Sequence, residues 1–272
     1  MSGEFPMKRR MRSWNRALRD GWLCSAFIAL GCVATAAEAG EFGTRCQRTF
    51  ENGWLATLDY QYDRCEGFNN RMDDANSKLF YFSLNNGVGF NVSDSSTPAG
   101  GVDTVDIFYI GTHGGASDTD ARLALKPFKT RTFSSTWRFG DNSNQIAIFS
   151  QYACNTLKID DKAFGRWVNA FKGGLYLATG SHDTVYDGWT TDETGEDYAD
   201  NLSHGKTVKW AWFDGNWDCC IEQDVAVYAS SSGPLDECKN RRDSMTGQNI
   251  NGFPRFRDGG MNRICASWIT DE

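Results

Sequence analysis

Short apolar runs, each long enough for one buried strand, recur through the middle of the chain. Val105–Ile110 and Ile146–Phe149 have the β-branched and aromatic content that is typical of strands. Leu175–Thr179 has the same character, and Gln223–Ser230 and Arg263–Trp268 predict two further strands. Because strands buried on both faces read as continuous apolar runs, the pattern predicts a mostly parallel central sheet.

Helical spacing occurs between these runs. A helix is predicted from Asp160 or Asp161, either of which can cap it, to about Phe171. With the strands on either side, this helix makes a βαβ unit, whose crossover should be right-handed. Three more helices are predicted, over Glu196–Leu202, Thr207–Phe213 and Leu235–Arg242. The alternation of strands and helices indicates the α/β class.

The N-terminal part of the chain has weaker patterns. Trp54–Tyr60 predicts a first strand or hairpin. Apolar residues over Asn69–Leu84 follow helical spacing as far as Leu79, and a helix is predicted there, ended by Asn85-Asn86-Gly87. The rest of this part is predicted as an edge strand and a loop, over Gly89–Ser93 and Ser95–Gly101.

Residues 1–39 have the features of a secretory signal peptide. Basic residues precede an apolar run over Leu23–Ala37, and Ala37–Ala39 fits an A-x-A cleavage site. The run, about fifteen residues long, is short for a membrane span. A lipoprotein site at Cys32, twin-arginine export and an uncleaved anchor are the alternatives. Residues 40–272 are expected to form a single domain that is secreted, periplasmic or on the cell surface.

Loss of this leader makes the chain more acidic. The full chain has a formal net charge of −7, and residues 40–272 retain 22 basic and 32 acidic residues, a net charge of −10. Such a charge repels nucleic acids and anionic membranes. We therefore expect neither as a partner, beyond the membrane that the export signal engages.

Seven cysteines follow the leader, an odd number in a chain predicted to reach an oxidising compartment. Cys154 is the predicted free thiol, because it alone lies between a buried strand and a helix. Adjacent Cys219 and Cys220 are expected to bond two different partners. The alternative is a free flanking cysteine and a buried, inert Cys154. The flanking cysteines are expected to form three disulfides of open connectivity: Cys46, Cys65, Cys219, Cys220, Cys238 and Cys265.

Two motifs follow the first two apolar runs. Thr112–Gly115 (Thr-His-Gly-Gly) comes after the first run, and Tyr152–Thr156 (Tyr-Ala-Cys-Asn-Thr) after the second. Since catalytic groups gather beyond the carboxyl ends of parallel strands, His113 and Cys154 should emerge at one edge of the sheet. An imidazole can accept the proton of a thiol and so generate the nucleophilic thiolate. We predict Cys154 as nucleophile and His113 as base; the alternative for His113 is a turn histidine bonded to the backbone.

A strand followed by His-Gly, then a strand followed by Ala-Cys, resembles the pattern of the caspase-like peptidases: caspases, gingipains, separase and the CHAT domains. Ile148–Leu157 is especially similar to the CHAT-type cysteine strand, and the resemblance covers roughly Val88–Leu202. It implies a caspase-like three-layer sandwich with helices on both faces of the sheet. It also implies an oxyanion hole made by the backbone N–H groups of Gly114 and Cys154. The Trp-rich tail, with its cysteines, resembles that of a group of secreted bacterial proteins.

Other chemistry has less support in the sequence. His182 and Asp183 could line the pocket, act as a competing base or lie in an ordinary loop, and His204 is predicted to cap a helix C-terminus. A metal site would need His113, His182 and His204 to converge, and no metal or nucleotide motif is present, so no cofactor is expected. The segment His113–Gly115 is also similar to the oxyanion loop of lipases, but the G-x-S-x-G motif that carries the nucleophile of those enzymes does not follow it.

Two functions are consistent with these observations. The first is an exported caspase-like cysteine peptidase that hydrolyses peptide bonds in a peptide or protein substrate. The second is a catalytically inactive caspase-like module that binds a protein or a glycan through its Trp- and Tyr-rich surface. An open cleft holding both His113 and Cys154 would favour the enzyme. Specificity cannot be assigned, because the sequence does not place these charged residues in a pocket: Asp118, Asp120, Arg122, Arg131 and Arg138.

Overall fold

A computed structural model describes residues 41–50, 55–74, 78–84, 102–125, 130–141, 146–218, 221–247 and 260–270. Contacts divide the chain into two units, Met1–Ala36 and Ala37–Glu272, and every described residue belongs to the second. The strands of the described part are β1 (Glu41–Cys46), β2 (Lys78–Leu84), β3 (Ile107–Gly111), β4 (Gly114–Ala116), β5 (Ala121–Leu125), β6 (Thr130–Phe133), β7 (Ile148–Tyr152), β8 (Leu177–Ser181), β9 (Trp217–Asp218), β10 (Ile221–Glu222), β11 (Val225–Ser231) and β12 (Arg263–Ile269). The α-helices are α1 (Gln61–Asp74), α2 (Ala163–Phe171), α3 (Thr194–Ser203), α4 (Val208–Asn216) and α5 (Leu235–Ser244).

Seven strands form one sheet in the order β2-β1-β3-β7-β8-β11-β12. The first four pairings along this order are parallel, and β11 pairs antiparallel with both β8 and β12. The prediction of a mostly parallel sheet in an α/β protein is therefore confirmed. Strands β4, β5 and β6 make a separate antiparallel sheet within the segment that links His113 to Cys154.

Both faces of the large sheet are covered. Alternate residues of β3 point to opposite cores: Ile107 and Tyr109 belong to one, Phe108 and Ile110 to the other. Helices α1, α3 and α4 supply the first core with Phe68, Tyr198 and Trp212. Helix α2 supplies the second with Trp167 and Phe171. This helix–sheet–helix layering confirms the expectation of helices on both faces.

The predicted unit β7–α2–β8 is present, with β7 and β8 parallel. Helix α2 begins at Ala163, and its N-cap residue is Lys162 rather than the predicted Asp160 or Asp161. Asp160 lies two residues before this N-cap residue, where its carboxylate accepts the backbone N–H of Lys162 at 2.9 Å. A hydrogen bond from Arg166 lowers the pKa of Asp160, so this carboxylate stays ionised against the buried guanidinium.

Two of the N-terminal predictions were wrong. Residues 55–60, the described part of the predicted Trp54–Tyr60 strand, form turns, and the first strand is β1, upstream of them. The helix predicted over Asn69–Leu84 instead begins at Gln61 and ends at Asp74, and the chain then enters strand β2. The predicted Gly89–Ser93 strand and Ser95–Gly101 loop lie outside the described residues.

The C-terminal predictions were better. Helices α3, α4 and α5 and strands β11 and β12 overlap their predicted ranges. Thr207 caps α4, where its side chain accepts the N–H of Trp210. In the described part of the chain, no helix combines the length and the apolar content needed to cross a membrane.

Two disulfides join secondary-structure elements. Cys46–Cys65 ties the end of β1 to α1, and Cys238–Cys265 ties α5 to β12. Cys154 is the free cysteine of the described residues. Cys219 and Cys220 lie outside those residues. The other four flanking cysteines form two of the three expected disulfides, and the expected bonding of Cys219 and Cys220 lies outside the described part of the chain.

Candidate active site

Strands β3 and β7 bring the two motifs together. They pair in parallel with Gly111 opposite Tyr152, so His113 and Cys154 each lie two residues beyond matched positions. The pairing continues one residue further, because the N–H of Thr112 donates to the carbonyl of Tyr152 at 3.2 Å. Both motifs therefore leave the sheet at the same edge, as the sequence predicts.

Gly114 lies directly against the backbone of Cys154. A β-carbon at position 114 would be 2.6 Å from the carbonyl oxygen of Cys154 and 2.8 Å from the Ala153 β-carbon. Real β-carbons essentially never approach that closely, so this contact requires glycine. At Gly115 the equivalent space is open, with no heavy atom within 4 Å. The two adjacent glycines therefore have different structural requirements.

The backbone around Cys154 is held in a tight turn. Asn155 has a φ of 54°, in the left-handed region that asparagine tolerates better than most residues. The end of β8 fixes this turn, because the N–H groups of Asn155 and Leu157 donate to the carbonyls of Asp183 and Ser181, both at 2.8 Å. Cys154 is thus positioned by two neighbouring strands, β7 and β8.

The thiol of Cys154 is reachable from solvent. The residue is partly buried, unbonded to another cysteine, and its Sγ lies 3.7 Å from the carbonyl oxygen of Val185. Helix α2 begins at Ala163, beyond the turn, so the thiol receives no direct support from a helix N-terminus. Any activation of the thiol must therefore come from groups in the cleft.

His113 is oriented by two contacts. Its ring packs on Phe50 with centroids 5.0 Å apart, and its Nε2 lies 2.9 Å from the carbonyl oxygen of Ala56. Because a carbonyl can only accept, this hydrogen bond requires the proton on Nε2. Nδ1 is then the unprotonated nitrogen, with the lone pair that a general base needs. The hydrogen bond to a backbone carbonyl that is expected of a turn histidine is therefore present. It uses Nε2, so Nδ1 remains available to accept a proton.

His113 and Cys154 line the same cleft, which has a volume of about 390 Å³. One wall is the turn segment Ala56–Gln61, and the other is Thr184–Asp187, the loop that follows β8. An open cleft that holds both residues is the feature expected of an enzyme rather than of a binding module. The described structure has that cleft.

Arg64 holds the second wall in place. Its side chain is fully buried and its guanidinium lies 4.2 Å from the ring centroid of Tyr152. It donates to Asp187 at 2.5 Å and also to the carbonyls of Tyr186 and Thr191 and to the Thr191 hydroxyl. Burial raises the pKa of Tyr152, whose hydroxyl therefore stays protonated and donates to the carbonyl of Tyr186 at 2.6 Å. The wall is thus fixed by buried polar contacts from α1 and β7.

Two backbone N–H groups of the motifs, those of Gly114 and Cys154, have no backbone acceptor among the described residues. The N–H of Ala124 donates to the carbonyl of His113. Gly114 and Leu123, which are opposite each other in the β4–β5 ladder, are therefore a pair of the type that exchanges no hydrogen bonds. The ladder therefore leaves the N–H of Gly114 unused. Among the described residues, no backbone acceptor is found for the N–H of Cys154.

The remaining histidines lie elsewhere. Nε2 of His182 contacts the carbonyl of Ile269 on β12, 3.0 Å away. His204 is the C-cap residue of α3, as predicted, and its Nδ1 lies 2.8 Å from the carbonyl of Asp200. Asp183 bonds the backbone N–H of Thr184 and does not line the cleft. Within the described ranges, no cluster of three or more His, Cys, Asp or Glu residues could hold a metal ion.

Several site residues could not be found from the sequence. Ala56 acts through its carbonyl, so its side chain carries no signal. Arg64 and the Thr184–Asp187 wall gain their roles only from the fold. The sequence does not show whether Arg122 and Arg131 belong to a pocket. In the structure they line a second pocket beside His113. The charge pattern around them was the one available clue.

These features define an α/β protein in which a histidine and a cysteine share one cleft at the edge of a mostly parallel sheet. The chain belongs to the DUF6345 family, described as a domain of unknown function, whose model matches residues 46–253. The match includes His113, Gly114 and Cys154 and ends before Cys265. None of the curated proteins matches the chain.

Proposed function

We propose that this protein is a caspase-like cysteine endopeptidase, with Cys154 as nucleophile and His113 as general base. The observation that carries the proposal is the shared cleft, in which a solvent-reachable thiol and an oriented imidazole follow adjacent parallel strands. The close packing of Gly114 on the backbone of Cys154 adds support, because it brings the two motif loops together.

The chemistry follows from these positions. His113 accepts the thiol proton at Nδ1, and the Cys154 thiolate attacks the carbonyl carbon of the scissile peptide bond. The N–H groups of Gly114 and Cys154 stabilise the negative oxygen of the tetrahedral intermediate. When this intermediate collapses, the C–N bond breaks and His113 returns its proton to the departing amine. Water, deprotonated by the same imidazole, then hydrolyses the thioester and regenerates the free thiol.

The proposal includes a caspase-like fold and export from the cytoplasm. The mostly parallel sheet covered on both faces, with its His and Cys motifs following adjacent strands, is what the family resemblance implies. Two disulfides among the described residues, together with a leader-like segment at residues 1–39, support a secreted, periplasmic or cell-surface location. The substrate is then a peptide or protein met outside the cytoplasm.

The test is hydrolysis of a mixed peptide library by the purified protein lacking residues 1–39, read out by mass spectrometry. Cys154→Ala should abolish cleavage, and His113→Ala should lower kcat/KM by about 10²–10⁴-fold, the range expected for a general base. His182→Ala is the matched control, since His182 bonds the edge strand and should leave cleavage unchanged. Loss of activity in His182→Ala but not in His113→Ala would contradict the proposed base.

A binding module remains the second proposal, favoured by one observation. Trp189, in the loop that continues from the cleft wall, is 75% exposed, and Tyr186 on that wall is 61% exposed. Large exposed aromatic rings next to a cleft suit the capture of a peptide or a sugar. A protein that binds peptides or glycans without cleaving them, with affinity lost in Trp189→Ala and retained in Cys154→Ala, would support this function over the enzyme.

A further inference from the structure

A second pocket lies against the other motif residues. Its volume is about 210 Å³, and it is lined by the stretch His113–Ala116, by Leu55 and by three residues of the small sheet: Arg122, Ala124 and Arg131. His113 lines both pockets, whereas Cys154 lines only the larger one. The smaller pocket is therefore next to the base and away from the nucleophile.

The pocket is positively charged. Two arginines line it, and none of its eight lining residues is acidic. The segment from residue 121 to residue 138 contains five basic residues and no acidic one, in a chain whose formal net charge is −7. Such a local excess of positive charge raises the potential that attracts an anion.

The two arginines belong to one face of the small sheet. Arg131 on β6 is opposite Ala124 on β5, and Ala124 shares its face with Arg122, two residues before it. Diagonal neighbours of this kind are about 7–8 Å apart, close enough for long side chains to meet on one anion. Nε of Arg122 is buried and has no hydrogen-bond partner among the described residues, and its guanidinium lies 5.9 Å from the ring centroid of Phe133. Arg122 thus lines the pocket and retains a donor that no described residue uses.

The carboxylate of Asp120, which is close enough to Arg122 to be affected by its charge, is held by other groups. Burial raises the pKa of Asp120, but hydrogen bonds from Ser135 and Thr119 outweigh burial and lower it, with Arg122 adding a smaller effect. The carboxylate accepts the backbone N–H of Ser135 at 3.0 Å and the hydroxyl of Thr119 at 2.8 Å. Asp120 does not line the pocket. It therefore does not fill the place that an external anion would take.

The position of this pocket relative to His113 and Cys154 indicates which part of a substrate binds in it. In the proposed reaction, His113 protonates the departing amine, so the chain on the leaving-group side of the scissile bond must pass this imidazole. A pocket lined by His113 but not by Cys154 is on that side. An arginine pair is well suited to a carboxylate, which guanidinium groups bind with charge-assisted hydrogen bonds.

We infer that this pocket is a substrate subsite in which Arg122 and Arg131 bind a carboxylate on the leaving-group side of the scissile bond. The inference rests on the proposed peptidase function. The carboxylate belongs either to an Asp or Glu side chain or to the C-terminus of a short substrate. These two sources have the same chemistry and are separated by the choice of peptide.

Binding to the Cys154→Ala protein tests the subsite without any need for turnover. Three fluorescein-labelled hexapeptides are compared by anisotropy: one with a central glutamate and an amidated C-terminus, one with glutamine in its place, and the glutamine peptide with a free C-terminus. At least one carboxylate peptide should bind about tenfold more tightly than the amidated glutamine peptide, and added salt should reduce the difference. Arg122→Gln with Arg131→Gln should remove the preference. Arg138→Gln, which removes the same charge from the same segment outside the pocket lining, should keep it.

The outcomes separate the subsite from the peptidase. Equal binding of all three peptides, or a preference that survives loss of both arginines, overturns the subsite. Cleavage by the wild-type protein with neither enrichment of acidic residues after the cut nor a preference for a free C-terminus close to the cut overturns the subsite and leaves the peptidase standing. Arginine-dependent carboxylate binding with no cleavage of any peptide supports an anion pocket and overturns the endopeptidase.

Discussion

Replacing Gly114 by alanine tests the packing on which the site depends. The added β-carbon would lie 2.6 Å from the Cys154 carbonyl oxygen, 2.8 Å from the Ala153 β-carbon and 2.9 Å from Cγ2 of Thr156. All three neighbours belong to the turn that carries the thiol, and two of them cannot move without moving its backbone. The motif loops must therefore separate by several tenths of an ångström.

Overpacking of this kind costs about 1–3 kcal/mol of folding free energy. For a domain of this size, each kcal/mol lowers Tm by about 2–4 °C, so Gly114→Ala should melt roughly 2–12 °C below the parent protein. Gly115→Ala is the matched control, because no heavy atom lies within 4 Å of its β-carbon, and its Tm should change by less than about 2 °C. The stability effect is independent of the proposed chemistry.

The same substitution should also affect catalysis, because moving the loops displaces the N–H of Gly114 from the oxyanion. Loss of one such donor typically lowers kcat by about 10²–10³-fold. Thermal denaturation monitored by near-ultraviolet circular dichroism and peptide hydrolysis below the lower Tm measure the two effects. If Gly114→Ala and Gly115→Ala have equal Tm values, the close approach of the two motifs is wrong. If they differ in Tm but not in kcat, the oxyanion role of Gly114 is wrong.

Two further predictions concern the disulfides and a surface carboxylate. The disulfides close loops of similar length, with sequence separations of 19 and 27, so breaking either by serine substitution should cost about 2–4 kcal/mol. Only loss of Cys46–Cys65 should also lower kcat/KM, by at least about fivefold, because its loop contains the Ala56 carbonyl that His113 contacts. An equal decrease in kcat/KM after Cys238–Cys265 is broken would argue against this connection between the Cys46–Cys65 loop and His113. Separately, a hydrogen bond from Arg242 lowers the pKa of Asp243 to about 2, so Asp243 stabilises the fold above its unfolded pKa near 3.8, and this contribution is lost as the pH falls through the folded value. Because Asp243 is 39% exposed, Asp243→Asn should reduce stability by only about 1 kcal/mol or less at pH 7, and a gap in Tm between parent and variant that fails to narrow below about pH 4 would refute the assignment.

The sequence predicts the elements whose buried positions are apolar. Strands β3, β7, β8 and β11 each contain part of an apolar run, and their ranges overlap the predicted ones. The bounds of helix α1 were not predicted correctly because its buried positions are partly polar: Gln61 and Arg64 are buried along with Cys65, Phe68 and Met72. These five have helical spacing, but the polar identities of the first two hide it from a hydrophobicity pattern. Strand β1 was missed for the same reason, since Thr44 and Arg45 are buried.

Some features of the candidate site could likewise be predicted from the sequence, and others could not. The pairing of His113 with Cys154 could be predicted, because both follow apolar strands and neighbouring parallel strands end at one edge. The orienting role of Ala56 could not, because it depends on a backbone carbonyl in a turn. The convergence of Arg122 and Arg131 required the small antiparallel sheet, whose short strands have no strong period in the sequence.

The dyad itself is tested most directly by covalent trapping. The protein lacking residues 1–39 is incubated with a library of peptidyl acyloxymethyl ketones, and the adduct is measured by intact mass and located by digestion. We predict one adduct, on Cys154, with a rate at least about 100-fold lower in His113→Ala and unchanged in His182→Ala. An adduct on another residue, or labelling of Cys154 that proceeds equally fast in His113→Ala, would contradict the account.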